Sequence, residues 1–516
     1  MESLLIKSDV SEALVVLARE VLPQIWGSGY RHIRIKTGPS PSFTNLPNEI
    51  QIEILKHLEW DEVLALRQCC RLLYSLSKEW HVWYNLFLKY RETTFAQPYF
   101  LPKPLEYCSS NDLESHVTNW WSVFGRTTGE SIEVATYSFD QEAVPRLRGP
   151  LLPLPSRHYL YTARDGTIYY GDPCQPAMGM HVLVPSPFSG ETFHVRTNVA
   201  LDFHLARGPD VRTSSFLMAF RLAVTRQPDD DPGVVEIWEI ASQLEQGVLT
   251  GYSTTLLQSI TEDPCVDIRY CSIFAEHVAY VVYGHDDFVS IVNWTNIEKD
   301  RSLSRTVISG GRAVERLFLL PSKRILIMYT SSMCIWDWGR KCSTITSLED
   351  PALQLEVDPE WMHPQSPLSL HPFITPYMFR DCTRFVVLAF QDYIFGVSIP
   401  TNPDADLATS VTVTRHADVP FQGGGEENRF FGYSKGVYFG NGAYHFITYR
   451  WSDDENSSCS YGTIDAPRSA RFHPRSIHYD EGRCQIYVFR RYDGMACAVI
   501  GSNVDRFANK ERAVSV

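Results

Sequence analysis

The apolar positions of this chain change their period once. Between Phe43 and about Tyr90 they recur at three- and four-residue steps: Ile50, Ile54, Leu55 and Leu58; then Val63, Leu64 and Leu66; then Leu72, Leu73 and Leu76, followed by Trp80, Trp83, Leu86 and Phe87. This is helical spacing, and its breaks predict three short helices. Asn45 is placed to cap the first, with Pro47 at its start, where a missing N–H costs nothing, and Asp61 is placed to cap the second. Leu14, Leu17, Ala18 and Val21 predict one further helix before Pro23, read as packing on its own protein or, less simply, on a partner.

From about residue 155 the helical period gives way to short β-branched and aromatic runs separated by Gly, Asp, Asn and Pro. Twelve of these runs form six pairs, each with a polar turn between its members. Tyr159–Ala163 and Thr167–Tyr170 flank Asp165-Gly166, a strong hairpin signal. The others pair Phe216–Val224 with Val234–Trp238, Val278–Tyr283 with Phe288–Trp294, Arg324–Tyr329 with Met333–Asp337, Phe385–Phe390 with Tyr393–Ile399, and Ile486–Arg490 with Ala496–Ile500. The widest gap, before the last pair, holds an extra strand at Tyr444–Tyr449. About 50 residues per unit fits a four-stranded blade, and radial packing hides sheet edges. The expected fold is therefore a small all-α N-terminal unit followed by a large all-β domain. That domain reads as a six- to eight-bladed β-propeller, with a β-sandwich or two stacked β-domains as alternatives. The expected boundaries are 1–41 for the N-terminal helix and linker and 42–90 for the helical unit. A proline-broken connector follows at 91–154, then the repeat domain at 155–505 and a polar tail at 506–516.

Composition adds exclusions. The 516 residues carry a net charge of −13, without the basic footprint of a dedicated nucleic-acid binder. No apolar run approaches the roughly 18 residues that span a bilayer, so no membrane partner is expected. The 12 cysteines are scattered and form no CxxC pair, which reads as reduced thiols in a cytoplasmic and/or nuclear protein.

One segment is specific. Leu46-Pro47-Asn48-Glu49-Ile50, Ile54-Leu55-Lys56-His57-Leu58, Leu64 to Arg71 with Cys69-Cys70, Leu76 and Trp83 follow one another in an order that resembles an F-box. Two departures are apolar-compatible: Leu72-Leu73-Tyr74 displaces an aromatic position, and Cys69 stands where Val is common. The later region resembles a degenerate WD-like propeller, with Ile335-Trp336-Asp337 as its nearest match, and the combination resembles the expanded fungal F-box families. The resemblance implies a substrate-recognition subunit of an SCF (Skp–cullin–F-box) ubiquitin ligase. The F-box would dock a Skp-type adaptor and, through it, a cullin-RING ligase, while the propeller holds an unknown protein substrate. Leu46, Pro47, Ile50, Ile54, Leu55, Leu58 and Leu66 are the expected adaptor-binding residues, and Cys70, Leu76 and Trp83 the expected core. Among the first group, Leu46, Pro47, Ile50 and Leu55 are expected to face outward.

No catalytic constellation emerges. Gly423-Gly424-Gly425 lacks the Gly-Lys-Ser/Thr ending of a phosphate loop, and neither G-x-S-x-G nor His-Glu-x-x-His occurs. His285-Asp286-Asp287, Asp229-Asp230-Asp231 and Asp453-Asp454-Glu455 read as polar turns. No enzyme, metal or cofactor is expected. The competing functions are a propeller scaffold that engages no ligase and a propeller enzyme with convergent polar residues at one mouth.

Overall fold

The computed structural model describes residues 46–121 and, between Glu133 and Gly501, the strands with their tight turns and parts of the longer loops. The expected N-terminal helix, Asn45, the triglycine at 423–425, the acidic turn at 453–455 and the tail from 506 lie outside the described residues. The chain forms two compact units: one holds the residues up to Thr94 with Cys108–Trp121, and the other holds Phe95–Tyr107 and everything after Trp121.

Among the described residues, five helices build the first unit: α1 (Asn48–His57), α2 (Trp60–Arg67), α3 (Arg71–Leu76), α4 (Trp80–Thr93) and α5 (Ser110–Trp121). The run from Leu72 to Phe87, expected as one helix, is two, because the chain turns at Ser77–Glu79. Pro47 stands at the N-cap of α1. The cap of α2 is Glu59 rather than Asp61: Glu59 and Glu62 satisfy each other's backbone N–H groups, and Asp61 falls in the first turn. Ser109 and Asp112 form the same reciprocal arrangement at the start of α5. The core gathers Ile54, Leu55, Leu58, Val63, Leu66, Leu73, Leu76, Val82, Trp83, Leu86, Phe87, Leu113 and Val117.

In the second unit the described residues form seven sheets, each of four antiparallel strands except one with five. β1 (Glu133–Ser138) pairs only with the end of the chain. Blade one is β2 (Leu152–Pro153), β3 (Tyr159–Thr162), β4 (Ile168–Gly171) and β5 (His181–Val184). Blade two is β6 (Val195–Asp202), β7 (Ala219–Pro228), β8 (Val234–Glu245) and β9 (Val248–Thr261). Blade three is β10 (Asp267–Phe274), β11 (His277–Tyr283), β12 (Phe288–Asn293) and β13 (Arg305–Ser309). Blade four is β14 (Val314–Leu320), β15 (Arg324–Tyr329), β16 (Met333–Asp337) and, after β17 (Ser343–Ile345) has crossed back to lengthen blade three beside β13, β18 (Trp361–His363). Blade five is β19 (Tyr377–Met378), β20 (Cys382–Leu388), β21 (Tyr393–Pro400) and β22 (Thr412–Asp418). Blade six is β23 (Arg429–Phe431), β24 (Lys435–Gly440), β25 (Ala443–Thr448) and β26 (Ser460–Asp465). Blade seven is β27 (Ser476–Asp480), β28 (Gln485–Phe489) and β29 (Ala496–Gly501), completed by β1.

Each apolar cluster spans two consecutive blades. Leu160 and Ile168 meet Phe220 and Val224. Ile237 meets Val278 and Val282, and Val281 and Val289 meet Ile325 and Ile327. Leu326 and Ile335 meet Phe385 and Val397, Val386 and Ile394 meet Tyr438 and Ile447, and Val437 and Tyr444 meet Ile477 and Ile486. The last interface returns to blade one, where the Tyr487 ring lies 5.1 Å from that of Tyr159. This closed ring of seven blades falls within the expected six to eight. Two expected boundaries differ. The sheets begin at β1, upstream of residue 155, because closure recruits a strand from the connector, and the connector itself divides between the two units.

Buried cations pin neighbouring blades. Arg226 is ion-paired with Glu236 and donates to the Gly166 carbonyl at 2.9 Å. Arg324 donates to the carbonyls of Pro400 (2.5 Å) and Asn402 (2.8 Å). Full burial of such groups is tolerated only with partners.

The segment Phe95–Tyr107 crosses the propeller. Gln97 exchanges two backbone hydrogen bonds of 3.1 Å with Met378, at the free inner edge of blade five. Four residues later, the Leu101 N–H donates to Ser215 of blade two at 2.9 Å, and Phe100 packs edge-on against Phe203. Four extended residues reach about 14 Å at most, so this strap takes the short way across the ring axis.

Candidate functional site

The helical unit separates its apolar residues into a closed core and a partly open rim. On α1, Gln51, Ile54 and Leu55 face inward, and Leu58 follows them. The Gln51 side chain donates to the Leu46 carbonyl at 2.7 Å, which fixes the turn that presents Leu46 and Pro47. Pro47 is exposed, and Leu46, Ile50 and Ile52 are half-buried. On α2, Val63 and Leu66 are buried while Leu64 is half-buried and Ala65 exposed.

This sorts the expected adaptor-binding residues. Leu46, Pro47 and Ile50 lie at the surface together. Ile54, Leu55, Leu58 and Leu66 are core residues of this unit, and Leu55 at 0% exposure corrects its expected outward placement. A single apolar stripe cannot both close a small bundle and remain open. Among the expected core residues, Leu76 and Trp83 are buried, and the Trp83 indole donates to the Ser77 carbonyl at 2.8 Å. Cys70 is corrected: it is half-buried and its sulfur accepts the Leu73 N–H at 3.5 Å, so it caps α3. Ile52 is not among the expected residues, and Leu64, read as part of the helical pattern, is not among the expected adaptor-binding residues. The signal for both is an apolar side chain just off the stripe, on the flank of a short helix.

The rim is charged. Glu49 and Glu53 stand on the outer side of α1, with Lys56 bonded to Glu53 at 2.9 Å. Glu59 accepts hydrogen bonds from Lys89 and Tyr90. Partial burial alone would raise the Glu59 pKa, but these two donors outweigh it and lower it. Tyr74 is 49% exposed under the Lys78 ammonium, 4.5 Å from its ring centre.

Helix α5 locks the bundle. Arg67 makes a two-pronged bond to Glu114 at 2.6 and 2.8 Å and donates to the Ser77 hydroxyl at 2.9 Å. His116 is buried on the Phe87 ring, and desolvation lowers its pKa to about 3.

Residues 43–89, covering α1 to most of α4, match the F-box-like family model. The helical unit is F-box-like. No curated protein matches the chain. Among solved structures, the WD40 domain of SCAP from fission yeast is similar at 9% identity, covering 70% of this chain and 86% of that one with a TM-score of 0.37. YCF48 bound to D1 peptide is similar at 9% identity, covering 71% and 96% with a TM-score of 0.32. The sheet order and closure described above carry the propeller assignment. An F-box-like unit with a propeller is an adaptor or interaction architecture, and F-box domains generally bind Skp-type adaptors. Among the described residues no cluster of three or more His, Cys, Asp or Glu could hold a metal ion, and no helix is long and apolar enough to cross a membrane.

Proposed function

We propose that this chain is the substrate-recognition subunit of an SCF ubiquitin ligase. The F-box-like unit docks a Skp-type adaptor, which links it to a cullin-RING ligase, and the propeller binds the protein to be ubiquitinated. The chain itself performs no chemistry in this reading. The observation that carries it is the open rim of Leu46, Pro47, Ile50 and Ile52 beside a closed core, within residues matching the F-box-like model. Apolar groups held at the rim of a rigid helix suit helix-in-groove recognition. Cytoplasmic or nuclear residence belongs to the same proposal and is supported by the scattered cysteines, with no disulfide among the described ones.

The test is reconstitution of the purified chain with a purified Skp-type adaptor, followed by affinity purification under proteasome inhibition to reveal the target. A folded chain that does not bind the adaptor refutes the proposal.

A further inference from the structure

Two energetic costs fall on one spot of the propeller, where blade three meets blade four. β10 carries a bulge between Arg269 and Cys271, and the extra residue, Tyr270, has φ +45°. A tyrosine in the left-handed region is strained, and such strain collects at functional sites. The Arg316 guanidinium of β14 lies over the Tyr270 ring, 5.2 Å from its centre. Among the described residues Arg316 forms no hydrogen bond and no ion pair. Glu315, the preceding residue, lies beyond ion-pairing distance, and Asp267 is already shared by Arg196 and Arg269, each at 2.9 Å. Burial pulls the Arg316 pKa below its ordinary value, the mark of a cation short of water as well as of partners.

The surroundings are fastened. The Tyr283 hydroxyl donates to the Val314 carbonyl at 2.9 Å, and the Leu319 N–H donates to the Ser272 hydroxyl at 2.8 Å, so β10 and β11 are tied to β14. Arg269 is stacked over Tyr283 at 4.7 Å and is 44% exposed. Arg269 and Arg316 are each third in their strands, near the starts of the innermost strands of blades three and four. Leu101 and Tyr107 of the strap meet the residues before β7 and the β8–β9 turn. These lie at the opposite end of the blades, where innermost strands finish, so the two arginines stand at the mouth away from the strap.

We propose that this mouth takes a carboxylate of the target protein on the Arg316 guanidinium, an assignment that rests on the substrate-receptor reading above. An unpaired, partly buried cation is costly, and a bound carboxylate supplies the acceptor that the chain itself withholds. The donor set selects a carboxylate over a phosphate. One guanidinium is uncommitted, and its fork matches the two oxygens of one carboxylate. A phosphate dianion needs further donors, but Arg196 and Arg269 are engaged by Asp267, and Glu315 adds like charge. Tyr270 holds the guanidinium plane from below, and its bulge sets the ring at that height.

Arrays of short randomised peptides, probed with the full chain, test this in three sets: amidated, with a free C-terminus, and amidated with phosphoserine. Selected amidated peptides are expected to share an Asp or Glu; enrichment confined to the free set assigns the carboxylate to a chain terminus instead. Arg316→Gln should weaken binding of the selected peptides by about tenfold or more. Arg316→Met removes an unpaired cation and keeps the aliphatic length, so it should melt no lower than the wild type. Failure to select any peptide, selection without acidic preference, selection of phosphoserine peptides alone, unchanged binding in Arg316→Gln, or a lower melting temperature in Arg316→Met each overturns the assignment. A wild type that selects acidic peptides but binds no Skp-type adaptor refutes the ligase reading alone.

Discussion

Leu55 and Ile50 sit on the same helix and separate folding from docking. Leu55 is fully buried and Ile50 is half-buried at the rim. Leu55→Ala removes three carbons, about 0.8 kcal/mol each as transfer, plus a cavity term that brings the loss to about 3–4 kcal/mol. A core this small supplies only about 3–5 kcal/mol, so the variant leaves much of the helical unit unfolded. Ile50→Asp removes little buried area and is expected to lower stability by less than about 1 kcal/mol. In the proposed adaptor complex it would place a carboxylate where an apolar anchor docks, at a cost of about 2 kcal/mol or more, near 30-fold in Kd. Calorimetric titration of a Skp-type adaptor measures the binding, and hydrogen exchange in α1 to α5 measures the fold. Wild-type affinity in a folded Ile50→Asp chain would refute the docking argument. A native α1 to α5 exchange pattern in Leu55→Ala would refute the burial argument.

Three further outcomes follow from particular contacts. His116 has a folded pKa of about 3 against 6.5 unfolded, so the unfolded chain takes up its proton first as pH falls. The stability that neutral His116 contributes is intact above 6.5 and drains towards pH 3 at about 1.4 kcal/mol per unit; His116→Phe should flatten this slope in urea titrations of the helical unit. Glu114→Ala takes the carboxylate from the part-buried Arg67 guanidinium and leaves it bonded to Ser77. Breaking a buried pair costs about 3–5 kcal/mol, and the residual exposure here reduces that to about 2, read as an earlier helical transition on heating. Gly247 has φ +77° and faces the Tyr107 ring, into which an added Cβ would run. Gly247→Ala should therefore destabilise the β8–β9 turn by about 1–2 kcal/mol through backbone strain, and its clash with Tyr107 should loosen the strap, seen as faster proteolysis between Phe95 and Tyr107; Tyr107→Ala in the same chain removes the clash but not the backbone strain.

The central strands were legible because those with described side chains are mostly buried on both faces. β15 and β16 are apolar almost without break, as are β11 and β12, and six of the seven central hairpins announced themselves this way. The seventh was half seen: β25 stood out, but β24 is bounded by Lys435-Gly436 and Gly440, which mimic a turn. Inner and outer strands were illegible for different reasons. β2 and β19 have two residues each, too few for any period. β1 is defined by a partner more than 300 residues away in sequence, and such pairing leaves no local trace. In the helical unit the spacing found the stripe but not its division into core and rim. That division depends on α5, which lies outside the recognisable motif and covers α4.

The strap also sets an order of events. The helical unit is complete once Trp121 has been made, while Gln97 and Leu101 are made before the propeller residues that their backbones bond. Ser215 appears with blade two and Met378 only with blade five. The segment between α4 and α5 is therefore a loop whose two ends are fixed early and whose middle is anchored late, first on one side of the ring and then on the other. β1 waits longer still, since β29 is the last strand to emerge. During synthesis this protein carries a finished helical unit well before its propeller exists, so in the proposed role the docking rim is complete before the substrate-binding domain.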